Sequence, residues 1–366
     1  MRVDKTKWTT KQISSFFDLQ MGRTPSRKSL ELWENGDTPW VSIADMSGTR
    51  FISSTKEKLS AATIKQCNIP IIPVGTVIMS FKLTIGKTCI ANVPLTTNEA
   101  IMAFYPKKDV QIDNSFLCYA LSALKWKGNR AVKGVTINKK TISQKVISLP
   151  DFTEQQAIAS ELDAVQAIID GYKAQIADLD ALAQSIFLDM FGDPITNQKE
   201  WEINSFSKLF TLKSGDGLSA KQFVVGDFPV YGGNGIVGFH NLCNKSGEYI
   251  IVGRVGAKCG NVRLVKGKFW LTDNAFELTQ KHTPFNNVFL VALLSLLNLG
   301  SKAKAMAQPV ISNASLKDVQ VILPPFALQQ HFAGQVEAIE KQKELIRQQL
   351  ADAETLMKER MQYYFS

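Results

Sequence analysis

Three histidines, His240, His282 and His331, and five cysteines, at 67, 89, 118, 243 and 259, are the side chains of this sequence best suited to hold a transition metal. No histidine lies near another or near a cysteine pair, and no CxxC occurs, so a zinc site is not expected. The odd cysteine count without a pairing pattern reads as reduced, mostly buried thiols. Gly233-Asn234-Gly235-Ile236-Val237-Gly238 fits GxGxxG. A dinucleotide site needs that motif between a strand and a helix, so that pyrophosphate meets the helix N-terminus. Here Phe239-His240-Asn241 and then Cys243-Asn244-Lys245-Ser246-Gly247 follow with no helical pattern, and a glycine-rich β-turn is the better reading. Leu323-Pro324-Pro325-Phe326 has the outline of the Asn/Asp-Pro-Pro-Tyr/Phe tetrad of amino-methyltransferases. That chemistry needs a side-chain acceptor for the target amino group, and Leu323 has none. The tetrad reads instead as a proline-rich lead-in to a helix. No Walker motif, GxSxG or paired-carboxylate signature stands out. Asp178 and Asp180 read as a solvated or partner-facing helix face.

Charge says more once it is divided along the chain. The total is +9, made of +11 over residues 1–152, −7 over 153–193, +6 over 194–326 and −1 over 327–366. Two basic stretches therefore alternate with two others, one of them strongly acidic. A basic lobe attracts phosphate, and two suggest a bipartite grip on a polyanion; the plainer alternative is scattered lysines that keep the chain soluble. No apolar run reaches the length needed to span a bilayer, and the N-terminal residues lack a signal-peptide pattern. A cytoplasmic protein with no membrane partner is expected.

The stretches between the basic lobes are copies of one another. The first begins Leu149-Pro150-Asp151-Phe152-Thr153-Glu154-Gln155-Gln156, and the second Leu323-Pro324-Pro325-Phe326-Ala327-Leu328-Gln329-Gln330, 174 residues later. In the first, Ile158, Leu162, Val165, Ile169, Tyr172, Ile176, Leu179, Ala183, Ile186 and Met190 recur alternately four and three apart. That heptad seam predicts one long helix buried along a stripe against another. The second keeps the register with Phe332, Val336, Ile339, Ile346, Leu350, Ala353, Met357 and Tyr364, broken only by Lys343 and Arg360. Lys343 stands where the first copy has Ile169. A cross-helix Asp of the acidic copy would offset the cost of its charge. Gly171 is read as permitting close helix approach beside Tyr172. An antiparallel pairing is expected.

The lobes repeat as well. Trp201 opens the second as Trp8 opens the first, an offset of 193 against 174 further on, so the first copy carries a longer early insertion. Val77-Ile78-Met79-Ser80 falls opposite Ile251-Val252-Gly253-Arg254, and Thr96-Thr97-Asn98-Glu99-Ala100 resembles Thr272-Asp273-Asn274-Ala275. In the first lobe a short helix is expected within 11–18, strands at 40–45, 71–81 and 84–91, and a helix at 114–124. Gly22-Arg23-Thr24-Pro25-Ser26-Arg27-Lys28 reads either as a phosphate- or base-contacting loop or as a solvated turn. Asn129 to Lys140 is a second basic, glycine-broken candidate loop.

Taken in order, these features resemble the specificity subunits of type I restriction–modification enzymes, over essentially the whole chain. The resemblance rests on the two Leu-Pro…Gln-Gln segments with their long helices. It rests also on Gly22-Arg23-Thr24-Pro25-Ser26 with Pro39-Trp40-Val41-Ser42-Ile43, on Thr84-Ile85-Gly86-Lys87, and on Phe228-Pro229-Val230-Tyr231-Gly232-Gly233-Asn234-Gly235-Ile236-Val237-Gly238. It implies an α+β fold: two similar mixed α/β target recognition domains, at 1–150 and 194–325. Two long helices, at 151–193 and 326–366, would form an antiparallel coiled coil in a pseudo-two-fold tandem repeat. It also implies a non-catalytic reader of an asymmetric, bipartite double-stranded DNA target that recruits two modification (methyltransferase) subunits and restriction (translocase/nuclease) subunits. S-adenosylmethionine, ATP and Mg are expected in those partners and no cofactor in this chain. A two-gene enzyme with fused methylase and nuclease, or a stand-alone DNA-binding scaffold, are the alternatives. Lysines and arginines would hold phosphates while loop side chains read base edges. Candidates in the first lobe are Arg23, Thr24, Ser26, Arg27, Lys28, Lys82, Lys133, Lys139 and Lys140. In the second they are Lys213, Ser214, Lys221, Asn234, His240, Asn241, Arg254, Lys258, Lys302, Lys304 and Gln308.

Overall fold

The chain is described from a computed structural model at residues 3–126, 129–131, 134–303 and 309–366. The two long repeats are helices of 40 residues each, Phe152–Phe191 and Phe326–Phe365. Asp151 starts the first, its Oδ1 accepting from Glu154 N at 2.9 Å, which satisfies one of the donors a helix start leaves open. Pro324-Pro325 precede the second, and the Pro325 carbonyl accepts from Leu328 N and Gln329 N. Every heptad position named above is buried or half-buried, including Ile176, Leu179, Ile186, Val336 and Ile346. Among the described residues no helix is long and apolar enough to cross a membrane.

The chain divides into two compact units, residues 1–172 with 349–366, and 173–348. Each unit thus contains one lobe and a part of both helices. Within the first unit, Tyr364 OH donates to Glu161 Oε2 at 2.8 Å, Arg360 Nε lies 3.2 Å from Glu161, and Val165 and Ile169 cluster with Ala353. Position numbers fall on one helix as they rise on the other, so the segments run antiparallel. Within the second unit, Asp180 meets Lys343, and Phe187 and Phe191 meet Phe332, in the same sense. Among the described residues, Val165, Ile169 and Ala353 form the buried cluster confined to the helices. Toward its ends the seam closes a lobe: Ile158, Leu162 and Tyr364 belong to the first lobe's core, and Phe187, Phe191 and Phe332 to the second's.

Two seam residues stand apart. Lys343 keeps its ammonium 2.6 Å from Asp180 Oδ1 and 2.5 Å from Glu340 Oε1, its side chain 7% exposed. Burial opposes its charge, but the two carboxylates outweigh that and raise its pKa above the ordinary lysine value. Gly171 does not serve close approach, contrary to the reading from sequence, because a Cβ built there meets nothing within 4 Å.

The lobes share one plan. In the first, the sheet runs Phe17–Met21, Ile101–Pro106, Val77–Ser80, Thr88–Ala91, Phe51–Ile52. In the second it runs Phe210–Ser214, Ala275–Gln280, Lys245–Gly253, Val262–Leu271, Phe228–Gly232, Gly235–His240. The first four strands correspond in order and are antiparallel throughout. A helix packs on each sheet, Asn114–Ala123 capped by Asp113 and Asn287–Leu296 capped by Asn286. A two-stranded ribbon leads into each long helix, Thr9–Gln12 with Val146–Leu149 and Ile203–Ser205 with Gln320–Ile322. The first lobe's early insertion carries the helix Ala61–Gln66 and the strand Glu57–Leu59 beside Thr38–Val41.

The Gln-Gln of each repeat has a structural task. Gln155 is 2% exposed; its Nε2 donates to Pro150 O and Gln111 O, and its Oε1 accepts from Asp113 N at 2.9 Å. Gln329 is 3% exposed; its Nε2 donates to Pro324 O at 2.8 Å and its Oε1 accepts from Asn286 N at 3.0 Å. One buried amide therefore brackets the start of the long helix to the start of the lobe helix, in both copies. Glutamine suits the position because it alone offers donor and acceptor at this length without charge.

Candidate nucleic-acid interface

In the first lobe the basic loop is built on glycine. A Cβ on Gly22 would lie 2.0 Å from Thr97 O, so the backbone runs directly against the neighbouring turn. Arg23 N then donates to Thr97 O at 2.8 Å, and Trp40 Nε1 donates to Arg23 O at 3.0 Å. The backbone is pinned on both sides while the Arg23 side chain is exposed. Thr24 Oγ1 donates to Glu99, whose carboxylate is lowered in pKa; burial raises it, but Thr24, Lys82 and Arg27 prevail. Arg23, Glu99 and Lys139 line one shallow depression.

Arg27 is committed elsewhere. Its guanidinium forks onto Glu57, at 2.9 Å for Nη2, and lies 3.7 Å over the Trp33 ring and 4.9 Å over Trp40. It fastens the loop to the insertion and has donors to spare for one further acceptor. Ser26 Oγ accepts from Lys28 N at 3.3 Å, and the Lys28 side chain is exposed. Lys82 Nζ lies 5.6 Å over Phe81. The stretch expected as a second basic loop is instead a hairpin, Asn129–Ala131 with Gly134–Thr136, extended by Lys82–Leu83. Lys139 and Lys140 open a short helix capped by Asn138, and both are exposed. Lys133 lies outside the described residues, as do Lys304 and Gln308.

The second lobe shows the same device. A Cβ on Gly215 would lie 2.3 Å from Leu271 O. Asp216 N donates to Leu271 O at 3.0 Å, and Trp270 Nε1 donates to Asp216 O at 3.3 Å. Beside it, Arg254 Nη1 donates to Ser214 Oγ and Asp273 O, each at 3.2 Å, so Arg254 and Ser214 hold each other. The GxGxxG segment is the turn and second strand of a hairpin, with Gly235 at φ 111 and no helix following. Gly233 there packs on Val255 and Gly238 on the Phe223 ring. Asn234 caps the hairpin tip, its carbonyl accepting from Arg263 Nη2 at 3.3 Å. Lys213, Lys221, Asn241, Lys258 and Lys302 are exposed. His240 differs from the other candidates: it is 5% exposed, its Nδ1 accepts from Val224 N at 3.1 Å, and Trp270 stands edge-on at 5.4 Å.

Sequence reasoning passed over several residues. Asp216, Glu99 and Arg263 also stand at these loops and the hairpin, where neither net charge nor glycine spacing marks them. Arg50, a basic residue of the first lobe, is not among the candidates. It points inward, 4.3 Å over Tyr119, donating to Tyr119 OH at 2.7 Å, Ser115 O at 3.0 Å and Asp163 of the first long helix.

Comparison with known proteins bears on the fold and the family of the chain. The model of the family described as the type I restriction modification DNA specificity domain matches residues 5–180 and again 198–355. The EcoprrI type I restriction enzyme specificity subunit of Escherichia coli is 26% identical over 347 residues, 88% of this chain and 85% of that protein. The MjaIX specificity subunit of Methanocaldococcus jannaschii is 23% identical, over 91% of this chain and 86% of that one. Among solved structures, the S subunit of a type I restriction-modification system from M. genitalium superposes with a TM-score of 0.58 at 16% identity, covering 100% of this chain and 98% of that one.

Proposed function

Because this chain belongs to the type I restriction modification DNA specificity domain family, we propose that it is the sequence-reading subunit of such an enzyme. Each lobe reads one half of a bipartite double-stranded DNA target. The chain performs no catalysis itself; it recruits modification subunits that bring S-adenosylmethionine and methylate the target, and restriction subunits that bring ATP and Mg. The observation that carries this reading is the pair of pinned loops, at Gly22–Lys28 and Gly215–Gln222. They follow the corresponding edge strand in two lobes whose first four sheet strands correspond, and they hold different side chains on backbone tethered at Arg23 and Asp216. Rigid placement with free side chains is what base readout requires, and the exposed lysines around both loops supply phosphate contacts. Loops that differ between the lobes favour an asymmetric target over a palindrome.

Methylation mapping of the host with and without this gene is the test. A split, non-palindromic methylated motif that disappears with the gene is the expected result. A motif that persists without the gene overturns the reading, and a gene-dependent palindrome overturns the asymmetry.

A further inference from the structure

Strand register makes Arg23 and Asp216 the same position in the two lobes. Met21 pairs with Met102 and Ser214 with Phe276, and the next residues, Gly22 and Gly215, donate to Ile101 O and Ala275 O. Arg23 N and Asp216 N then reach carbonyls four residues before those acceptors, Thr97 O and Leu271 O. Both residues lie 193 apart, the offset of Trp8 and Trp201. The indole that holds each carbonyl comes from opposite members of one parallel strand pair. Trp40 belongs to the strand that pairs with Thr96–Thr97; Trp270 belongs to the strand that pairs with Phe228–Gly232. The tether is kept although the residue that supplies it has changed strand. What the fold maintains is therefore the backbone position, with an exposed side chain of opposite charge in each lobe.

Phosphate contact does not explain such a position. Arg23 suits it, but Asp216 would repel the backbone of any nucleic acid laid against the loop. Asp216 is also presented in a fixed orientation. Asn244 holds Leu271 by both its amide groups, at 2.7 and 2.9 Å, and donates to Asp216 Oδ2 at 2.8 Å. Oδ1 then has no hydrogen-bond partner among the described residues, and neither does the Arg23 guanidinium. A free acceptor and a free fork of donors are complementary to base edges in the major groove: Arg to guanine O6 and N7, Asp to an exocyclic amino group such as cytosine N4.

Resting on the reading of this chain as a DNA specificity subunit, we propose that Arg23 and Asp216 are paired specificity positions. Arg23 reads a guanine in one half-site, and Asp216 reads an amino-bearing base in the other. Neither acts by holding phosphate. The test is methylation mapping of the full enzyme carrying Arg23→Ala or Asp216→Ala, beside the wild type. The wild-type motif checks the underlying reading by itself, so the variants address this proposal alone. Arg23→Ala should relax one guanine of one half-site, with about tenfold or greater loss of preference there, and leave the other half unchanged. Asp216→Ala should relax one cytosine or adenine of the other half only. If an alanine variant abolishes methylation, Arg23→Gln or Asp216→Asn decides in its place, and relaxation or a changed base confined to one position sustains the proposal. An unchanged motif, uniform weakening at all positions, or loss of methylation in the conservative variants overturns it.

Discussion

Gln155 and Gln329 each satisfy backbone groups at the point where strand, lobe helix and long helix converge. Replacing Gln155 with Leu keeps volume and removes the partner of Pro150 O in a buried site and of Asp113 N and Gln111 O in a partly buried one. At about 1–3 kcal/mol for a buried group left unpaired, and allowing for partial relaxation, Gln155→Leu should cost about 2–4 kcal/mol in denaturant unfolding. A loss below about 1 kcal/mol would mean that water replaces the amide. Lys343 behaves differently, because its partners Asp180 and Glu340 are 63% and 51% exposed and remain solvated without it. Lys343→Ile, which copies the residue at the matching position of the first helix, should be neutral or stabilising at neutral pH. Its pKa is raised in the folded chain, so its contribution is complete below the unfolded value, about 10.4, and is lost as pH climbs through the folded one. Melting temperatures of the wild type should therefore fall more steeply than those of Lys343→Ile above about pH 10. Parallel curves would show that the pairing of the buried lysine with its exposed carboxylates contributes nothing.

At the scale of elements, the long helices owe their stability to the seam and to the lobe cores into which its ends run. Gly171 and Gly334 are helical glycines where an added Cβ meets open space. Gly171→Ala should stabilise the isolated chain by about 0.5–1 kcal/mol, since alanine gives up less chain entropy on becoming helical. Destabilisation in urea titrations would show that the helix needs glycine there. The helices were the most legible part of the sequence, because a strict 4–3 spacing kept twice in register has one structural solution. The pairing of Lys343 with an aspartate was legible for the same reason. The lobes were legible as a duplication but not in detail. Lys139 and Lys140 read as loop residues because five helical residues leave no periodicity to detect. Of the candidate interface, the basic loop after Met21 stands out in the sequence by charge and glycine. Asp216 could not, since its significance depends on register with Arg23 across an insertion that shifts the numbering by 193 rather than 174.

For the molecule as a whole, the distribution of charge decides how it should respond to salt. The lobes carry the positive excess and the first long helix a charge of −7 over residues 153–193, so under the proposed function phosphate contact is expected in the lobes and not along that helix. Part of that positive charge is spent internally. Arg27 is forked onto Glu57, Arg50 is turned into the first lobe against Asp163, Lys245 pairs with Glu277 and Lys266 with Glu248. Counterion release should therefore reflect fewer phosphates than the basic residue count suggests, with exposed residues such as Lys28, Lys139, Lys213 and Lys258 carrying the effect. Lys28→Ala removes one such contact without touching the tethers of Arg23. Its affinity should drop by a similar factor for target and non-target DNA, and the slope of log K against log salt should shrink by about one. Arg23→Ala, in contrast, should lower affinity for the target more than for random sequence, so the two variants measured side by side separate positioning charge from reading charge. Equal losses on both DNAs for both variants would place Arg23 with the phosphate-binding lysines.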